Sequence, residues 1–311
     1  GTAVGQGAKA GVSKDDGSAS SAFGYYANAA ASGSTALGFQ TVASTKQATA
    51  AGYKASASGE GATALGANAI ASNQSTIAIS AGPNTTTASG VGSIAIGTNV
   101  TSNGAGNIAT GANANATGDG AIATGLGSVA NGNNALAVGT NTSATGANDV
   151  ALGAGSVTGS RNALTSITIN GTEVGNNGKS SGTSVLAVGN STSARQVQYV
   201  SAGLISATST DAINGSQLYN VITVVNSTAS TATAAKTAAD NAQATADNAQ
   251  TTATAAKSVA DLSQTIATTA SMTATTAKNT ANNALELANQ AANIYFHVND
   301  GTEDIDRLPS E

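Results

Sequence analysis

Residues 106–127 read GNIATGANANATGDGAIATGLG, and the second half restates the first: Ile108 and Ile122, Ala109 and Ala123, Gly111 and Gly125 hold equivalent places, 14 residues apart. Working outward, the same glycine recurs as Gly24, Gly38, Gly52 and Gly66, then Ser80, then Gly97, Gly111, Gly125, Gly139 and Gly153. Each step is 14 residues except the 17 from Ser80 to Gly97, where three extra residues sit around Gly82-Pro83-Asn84. Gly5 fits as an earlier turn, set off from Gly24 by five extra residues that contain Lys14, Asp15 and Asp16; Gly189 carries the signature later.

Alanine stands two places before each of these positions, as at Ala22, Ala36, Ala95, Ala151 and Ala187, and an apolar or β-branched residue usually stands one place before. Segments such as SIAIG and DVALG therefore alternate, which is the mark of a strand with one buried face. A second short alternating run, ANANA or TNTSA, comes next and ends in a Gly or Asn turn. Fourteen residues are too few for a helical repeat and too regular for a sandwich. The period predicts a β-solenoid with coils stacked about 4.8 Å apart, backbone ladders running from coil to coil, and recurring columns of Ile, Leu and Val holding the stack. So thin a coil buries little apolar area, and self-association along its axis is the expected supplement, with Ala and Gly columns allowing a neighbouring copy to approach.

Composition agrees with repetition and excludes much else. The 311 residues include 37 Gly, 2 Pro and no Cys or Trp, with 9% charged and 3% aromatic, against roughly 25% charged in an ordinary domain. That is no enzyme-sized core. A net charge of -5 with dispersed acids leaves no basic stripe for nucleic acid. No window reaches the roughly 20 apolar residues of a membrane span and no secretory leader opens the chain, so the sequence reads as a soluble protein or a mature fragment.

After Gly153 the period breaks. Asn170-Gly171 lies between two β-rich runs in residues 161–182 and predicts a small hairpin. Residues 184–221 lead from a last solenoid-like strand into a helix, with Ser209 or Thr210 as expected N-cap and Asp211 in the first turn. From Leu218 the spacing becomes heptads: Leu218, Val225 and then Ala at every seventh residue to Ala288 form one series, and Val221, Thr228, Ala235 and onward to Ala291 the other. This is an a/d seam, weak because one buried methyl contributes about 0.8 kcal/mol. Val259, Leu262, Ile266 and Met272 lie just off it, so a shift of seam near Val259 is open. Residues 212–292 as helix would form a rod of roughly 120 Å, a spacer.

The SxAhG coils (STALG, SIAIG), the RQV segment succeeded by TDAINGSQL, and the Ala-rich heptads resemble the head, neck and stalk of trimeric autotransporter adhesins, surface fibres of Gram-negative bacteria. The resemblance implies an all-β left-handed parallel β-roll head followed by an α-helical trimeric coiled-coil stalk. It divides the chain into a head at 1–160, a hairpin-like insertion at 161–183, a neck at 184–217, a stalk at 218–292 and a lead-in or tail at 293–311, which opens with NIYFHVNDG. It further implies a homotrimer, an outer-membrane anchor outside this fragment, and extracellular matrix proteins, cells or abiotic surfaces as partners, with no cofactor. Arg195, Asp211, Asn214, Gln217 and Leu218 are the structural neck residues under this reading.

Signatures of metal binding or catalysis are sparse. His297 has no His or Cys nearby, the Gly-rich fragments keep to the coil period rather than open a helix, and Asp119 and Asp149 are too isolated for calcium-binding nonapeptides. One decoration stands out: Tyr25, Phe39 and Tyr53 come directly after the repeat glycine in three successive coils, with Tyr26 and Lys54 one place further on and Lys46 in the same region. It is either a packing ladder or an adhesive patch, since large rigid rings supply contact area at small entropy cost. A non-catalytic adhesin is the leading expectation. A polysaccharide-binding or polysaccharide-cleaving tailspike would need clustered carboxylates in a groove, and an ice-binding solenoid an unbroken Thr ladder, which Val138 interrupts after Thr110 and Thr124.

Overall fold

The computed structural model describes residues 1–11, 19–161, 167–169, 172–174, 182–206 and 208–299. They divide into two units, Gly1–Asn214 and a second that begins at Gly215. In the first unit each coil contributes one strand to each of two parallel sheets. One sheet runs through twelve strands, from Thr2–Val4 to Val150–Leu152 and finally Leu186–Ala187; the other runs through ten, from Lys9–Ala10 to Ser143–Ala144. Pairing matches the repeat residue for residue: Ile94, Ile108, Ile122 and Leu136 align, as do Ala95, Ala109, Ala123 and Ala137.

The inside of the coil is not where the bulky residues are. The alanines at the centre of the first-sheet strands, Ala22 through Ala151, are fully buried, as are the second-sheet alanines such as Ala29, Ala43, Ala116 and Ala144. The Ile, Leu and Val columns point the other way and are left half-buried or exposed, Leu37 at 53% and Leu152 at 49%. The expectation that those columns hold the stack is therefore corrected. Where the alanine columns of the two sheets face each other the enclosed space is only about as wide as a methyl group, and the pleat sends the larger neighbours outward. Some interior places are polar and bonded within the stack: Ser102 Oγ donates to Asn107 Oδ1 at 2.6 Å, and Asn107 Nδ2 donates to the Ala116 carbonyl at 2.7 Å.

Two corners close each coil, and glycine is what lets them stack. At the first corner, leading from the first sheet to the second, Gly24 has φ +136° and a Cβ there would lie 2.3 Å from the Gly38 carbonyl oxygen. At the second corner a Cβ on Gly118 would lie 2.1 Å from the Gly132 carbonyl oxygen, with no unusual φ involved. The period is thus enforced by backbone passing over backbone.

Extra residues leave the register intact. Thr2 pairs with Ser21, Ile77 with Ile94, and Val150 with Leu186. The loop containing Lys14, Asp15 and Asp16 lies outside the described residues, and so does the Asn170-Gly171 turn, although its flanking strands Ile167–Ile169 and Thr172–Val174 pair antiparallel.

The second unit is one helix, Gly215–Asn299. It starts after Ser209 and Thr210, the expected N-caps, because Ser209 and Asp211 bond elsewhere: the Asp211 amide donates to Ser209 Oγ at 3.2 Å and the Asp211 carboxylate accepts the Leu204 amide at 2.9 Å. The helix also runs beyond residue 292, at about 1.5 Å per residue making a rod of about 130 Å. Every residue from Leu218 to Asn293 is exposed in the single chain, including both heptad series. Thr228 and Ser263, the polar seam residues, donate to the carbonyls four residues back at 3.0 and 2.9 Å, so their hydroxyls are satisfied within the helix. Lys236–Asp240 and Lys257–Asp261 are exposed i,i+4 ion pairs, each contributing no more than about 0.5 kcal/mol.

Candidate functional site

The first corner of three consecutive coils carries the aromatic residues. Tyr25 and Phe39 stack at 5.2 Å and 11°, Phe39 and Tyr53 at 5.4 Å and 10°, so each ring repeats close to the coil spacing. Tyr26 meets Tyr25 edge-on at 4.5 Å and 79°, and Lys54 Nζ lies 5.1 Å from the Tyr53 centroid. The rings stay 42%, 41% and 49% exposed at Tyr25, Phe39 and Tyr53. Phe23 and Leu37, in the strands entering these corners, add exposed apolar surface.

Tyr26, Gln40, Lys54 and Asn68 succeed one another at the next position along, all with φ near +55°. Lys46 is elsewhere: it sits between Val42–Ala43 of the second sheet and Thr49–Ala51 of the first, at the opposite corner. The structure brings together Tyr25, Tyr26, Phe39, Tyr53 and Lys54, and leaves Lys46 out.

The residues expected to form a neck begin against the last coil. Arg195 Nη1 donates to Ser156 Oγ at 2.9 Å and to the Val188 carbonyl at 2.7 Å, its Nη2 donates to the Ala154 carbonyl, and its guanidinium lies over Gly153. Asn190 Nδ2 donates to the Gly155 carbonyl at 2.7 Å, while Asn190 Oδ1 accepts the amides of Thr192 and Ser193. Further on, Asn214 Nδ2 donates to the Val200 carbonyl at 3.2 Å. Gln217 lies in the first turn of the helix unit, and Leu218, just after it, is exposed.

Asp149, in the last coil, is the joining residue that sequence reasoning missed. It occupies the interior column of Asn107, Ala121 and Ala135, 5% exposed, and its two oxygens accept the Gly146 amide at 3.0 Å and the Val185 amide at 2.9 Å. The carboxylate thereby stitches the returning strand to the coil it left 36 residues earlier. An acid in a column otherwise filled by Ala, Ser, Thr and Asn is the signal that marked it.

Among the described residues, no group of three or more His, Cys, Asp or Glu is placed to hold a metal ion, and no helix is long and apolar enough to cross a membrane.

Comparison with known proteins places the head. A family model described as the YadA head domain repeat (2 copies) matches residues 16–41, 29–55, 43–69, 57–79, 84–99 and 130–156. Among solved structures, the C-terminal YadA-like domain of a Burkholderia pseudomallei protein is similar at 39% identity over 32% of this chain, with a TM-score of 0.31. The match covers 46% of that structure's chain. No curated protein matches.

Proposed function

We propose that this chain, a trimeric autotransporter adhesin by its YadA head repeats, is a non-catalytic passenger segment that assembles as a homotrimeric surface fibre and attaches its cell to external surfaces. The observation that carries the assembly is the apolar surface the single chain leaves uncovered. The outer columns of the first sheet present Ile94, Ile108, Ile122, Leu136 and Val150 in one line, half-buried, with Leu152 exposed beside Val150. Covering the exposed remainder of each such side chain contributes up to about 1 kcal/mol, repeated at every coil. The helix supports the same reading, because its heptad seam is exposed throughout in the single chain and pairs with the seams of other copies in a coiled coil.

Attachment follows from repetition. A roll whose surface is decorated at one end and that is present in three copies multiplies a weak contact site by avidity. The aromatic ladder is the proposed contact site, and matrix proteins, cell surfaces and abiotic surfaces are the partner classes. Family membership supports cell-surface localisation with an outer-membrane anchor.

Sedimentation equilibrium of the purified chain tests the assembly. Three chains per particle is the expected result; a monomer at micromolar concentration overturns it. Replacing Tyr25, Phe39 and Tyr53 by Ala in the trimer tests the contact site, and unchanged adhesion to collagen, polystyrene and cultured cells refutes it.

A further inference from the structure

The outer face of the first sheet carries two columns of side chains, and they change character at different coils. The first residue of each strand bears a hydroxyl in the first five, Thr2, Ser21, Thr35, Thr49 and Thr63, and is aliphatic in the next six, from Ile77 to Val150. The third residue follows another order. It is apolar from Val4 through Phe23, Leu37 and Leu65 to Ile96, and then becomes Thr at Thr110 and Thr124. In the last two coils, Leu136 with Val138 and Val150 with Leu152, both columns are apolar. Pairing is continuous through the changes, Thr63 with Ile77 and Ile96 with Thr110, so they are not the result of a slipped strand.

An apolar stripe therefore crosses the face of the sheet. It lies on the third residue in the N-terminal coils, spans both columns at Ile77–Ser80 and Ile94–Gly97, and lies on the first residue at Ile108 and Ile122. Two residues separate the columns by about 7 Å, and the three coil steps from Thr63 to Ile108 rise about 14 Å. The stripe is thus inclined by roughly 25° where it crosses, close to the inclination of twisted sheets packed face to face. No charged residue stands in either column between Thr2 and Leu152. The outer column of the second sheet has no such line: it begins at Lys9 and interleaves Asn28, Val42, Ser56 and Ile70.

We infer that the stripe is the seam on which a second copy of this chain packs, so that the contact between neighbouring rolls starts on Phe23 and Leu37 and passes to Ile108 and Ile122. The inference rests on the reading of this face as the surface between copies and says which residues form it at each level. A strip about 15 Å wide removes about 70 Å² of each copy from water per coil. The six aliphatic coils alone give a total of about 900 Å², short of a stable interface, whereas all eleven coils from Thr2–Val4 to Val150–Leu152 give about 1,600 Å², the standard size. Phe23 and Leu37, exposed in the single chain, are covered in this arrangement, and the hydroxyls of Thr35, Thr49 and Thr63 stay in water.

The chain contains no Cys, so single replacements by Cys report access to a maleimide in the intact assembly. Four variants are compared, Thr35→Cys, Leu37→Cys, Ile122→Cys and Thr124→Cys, each labelling rate being referred to the same variant unfolded in urea, with sedimentation equilibrium on the same samples. All four side chains point outward, and the replacements are small. In the trimer Leu37→Cys is expected to react at least about tenfold more slowly than Thr35→Cys, and Ile122→Cys at least about tenfold more slowly than Thr124→Cys. Exposure in the single chain gives the reverse order for the first pair, because Leu37 is 53% exposed and Thr35 is half-buried.

A trimer in which Leu37→Cys reacts as fast as Thr35→Cys overturns the seam, as does one in which Thr35→Cys and Ile122→Cys are the protected pair, since the contact then runs straight along one column. Either result leaves the assembly itself standing. A monomer in sedimentation overturns the assembly, and the seam with it.

Discussion

Replacing Asp149 by Ala removes the one interior carboxylate that holds the neck to the last coil. The space itself tolerates the change, because Ala135 fills the equivalent place one coil earlier with no exposure beyond 1%. What is lost is a pair of charge-assisted hydrogen bonds, from the Gly146 amide at 3.0 Å and the Val185 amide at 2.9 Å. Both bonds are part-buried, so each contributes about 1.5 kcal/mol, the lower end for a bond to a charged group, and the expected local cost is about 3 kcal/mol. A solenoid is held coil by coil, so the loss should stay where it is made. Hydrogen exchange monitored by mass spectrometry resolves this. Backbone amides of residues 184–190 and 150–157 are expected to exchange about a hundredfold faster or more, and those of residues 94–124 at their original rate. Loss of protection spread evenly along the head would refute the coil-by-coil account, and no change at residues 184–190 would refute the role of the carboxylate.

The same geometry bears on other substitutions. Ala109→Leu places a large side chain between Ala95 and Ala123 in a fully buried column, and is expected to cost at least about 3 kcal/mol in thermal or denaturant unfolding; Ile108→Ser, one residue away but on the outer face, is expected to leave the coil folded and to weaken the trimer in sedimentation. Gly24→Ala is expected to destabilise by more than about 2 kcal/mol, since its Cβ meets the Gly38 carbonyl oxygen at 2.3 Å, whereas Gly61→Ala, with nothing within 4 Å and φ +65°, is expected to cost only about 1 kcal/mol, both read from chemical denaturation. Arg195→Lys keeps the charge but cannot reach Ser156, Val188 and Ala154 together, and limited proteolysis should cut the neck between 184 and 200 faster than in the parent.

The glycine period was legible to the residue, because the backbone clash that enforces it admits almost no other side chain. Which face of the strand points inward was not. Alternation says that two faces differ, and experience with thicker proteins assigns the larger residues to the inside; here Ala109 is the interior and Ile108 the exterior because the enclosed space is one methyl wide. The start of the helix was misplaced for a related reason. Ser209, Thr210 and Asp211 have capping chemistry, but Asp211 spends it on Leu204 across a close approach at Gly203, where a Cβ would lie 2.4 Å from the Ala212 carbonyl oxygen. The aromatic ladder was visible as spacing, whereas the face-to-face stacking of Tyr25, Phe39 and Tyr53 depends on ring orientations that spacing does not carry.

Three times the chain leaves the solenoid and returns to the same register, over the 19 residues from Thr2 to Ser21, the 17 from Ile77 to Ile94 and the 36 from Val150 to Leu186. Every departure is made at a corner. Strand order and stacking distance are thus independent of what the corners carry, and the surface of such a head varies without the scaffold being renegotiated. Length, set by the number of coils, and the residues carried at the corners become separately heritable properties, so a lineage can change either by insertions that the fold does not register.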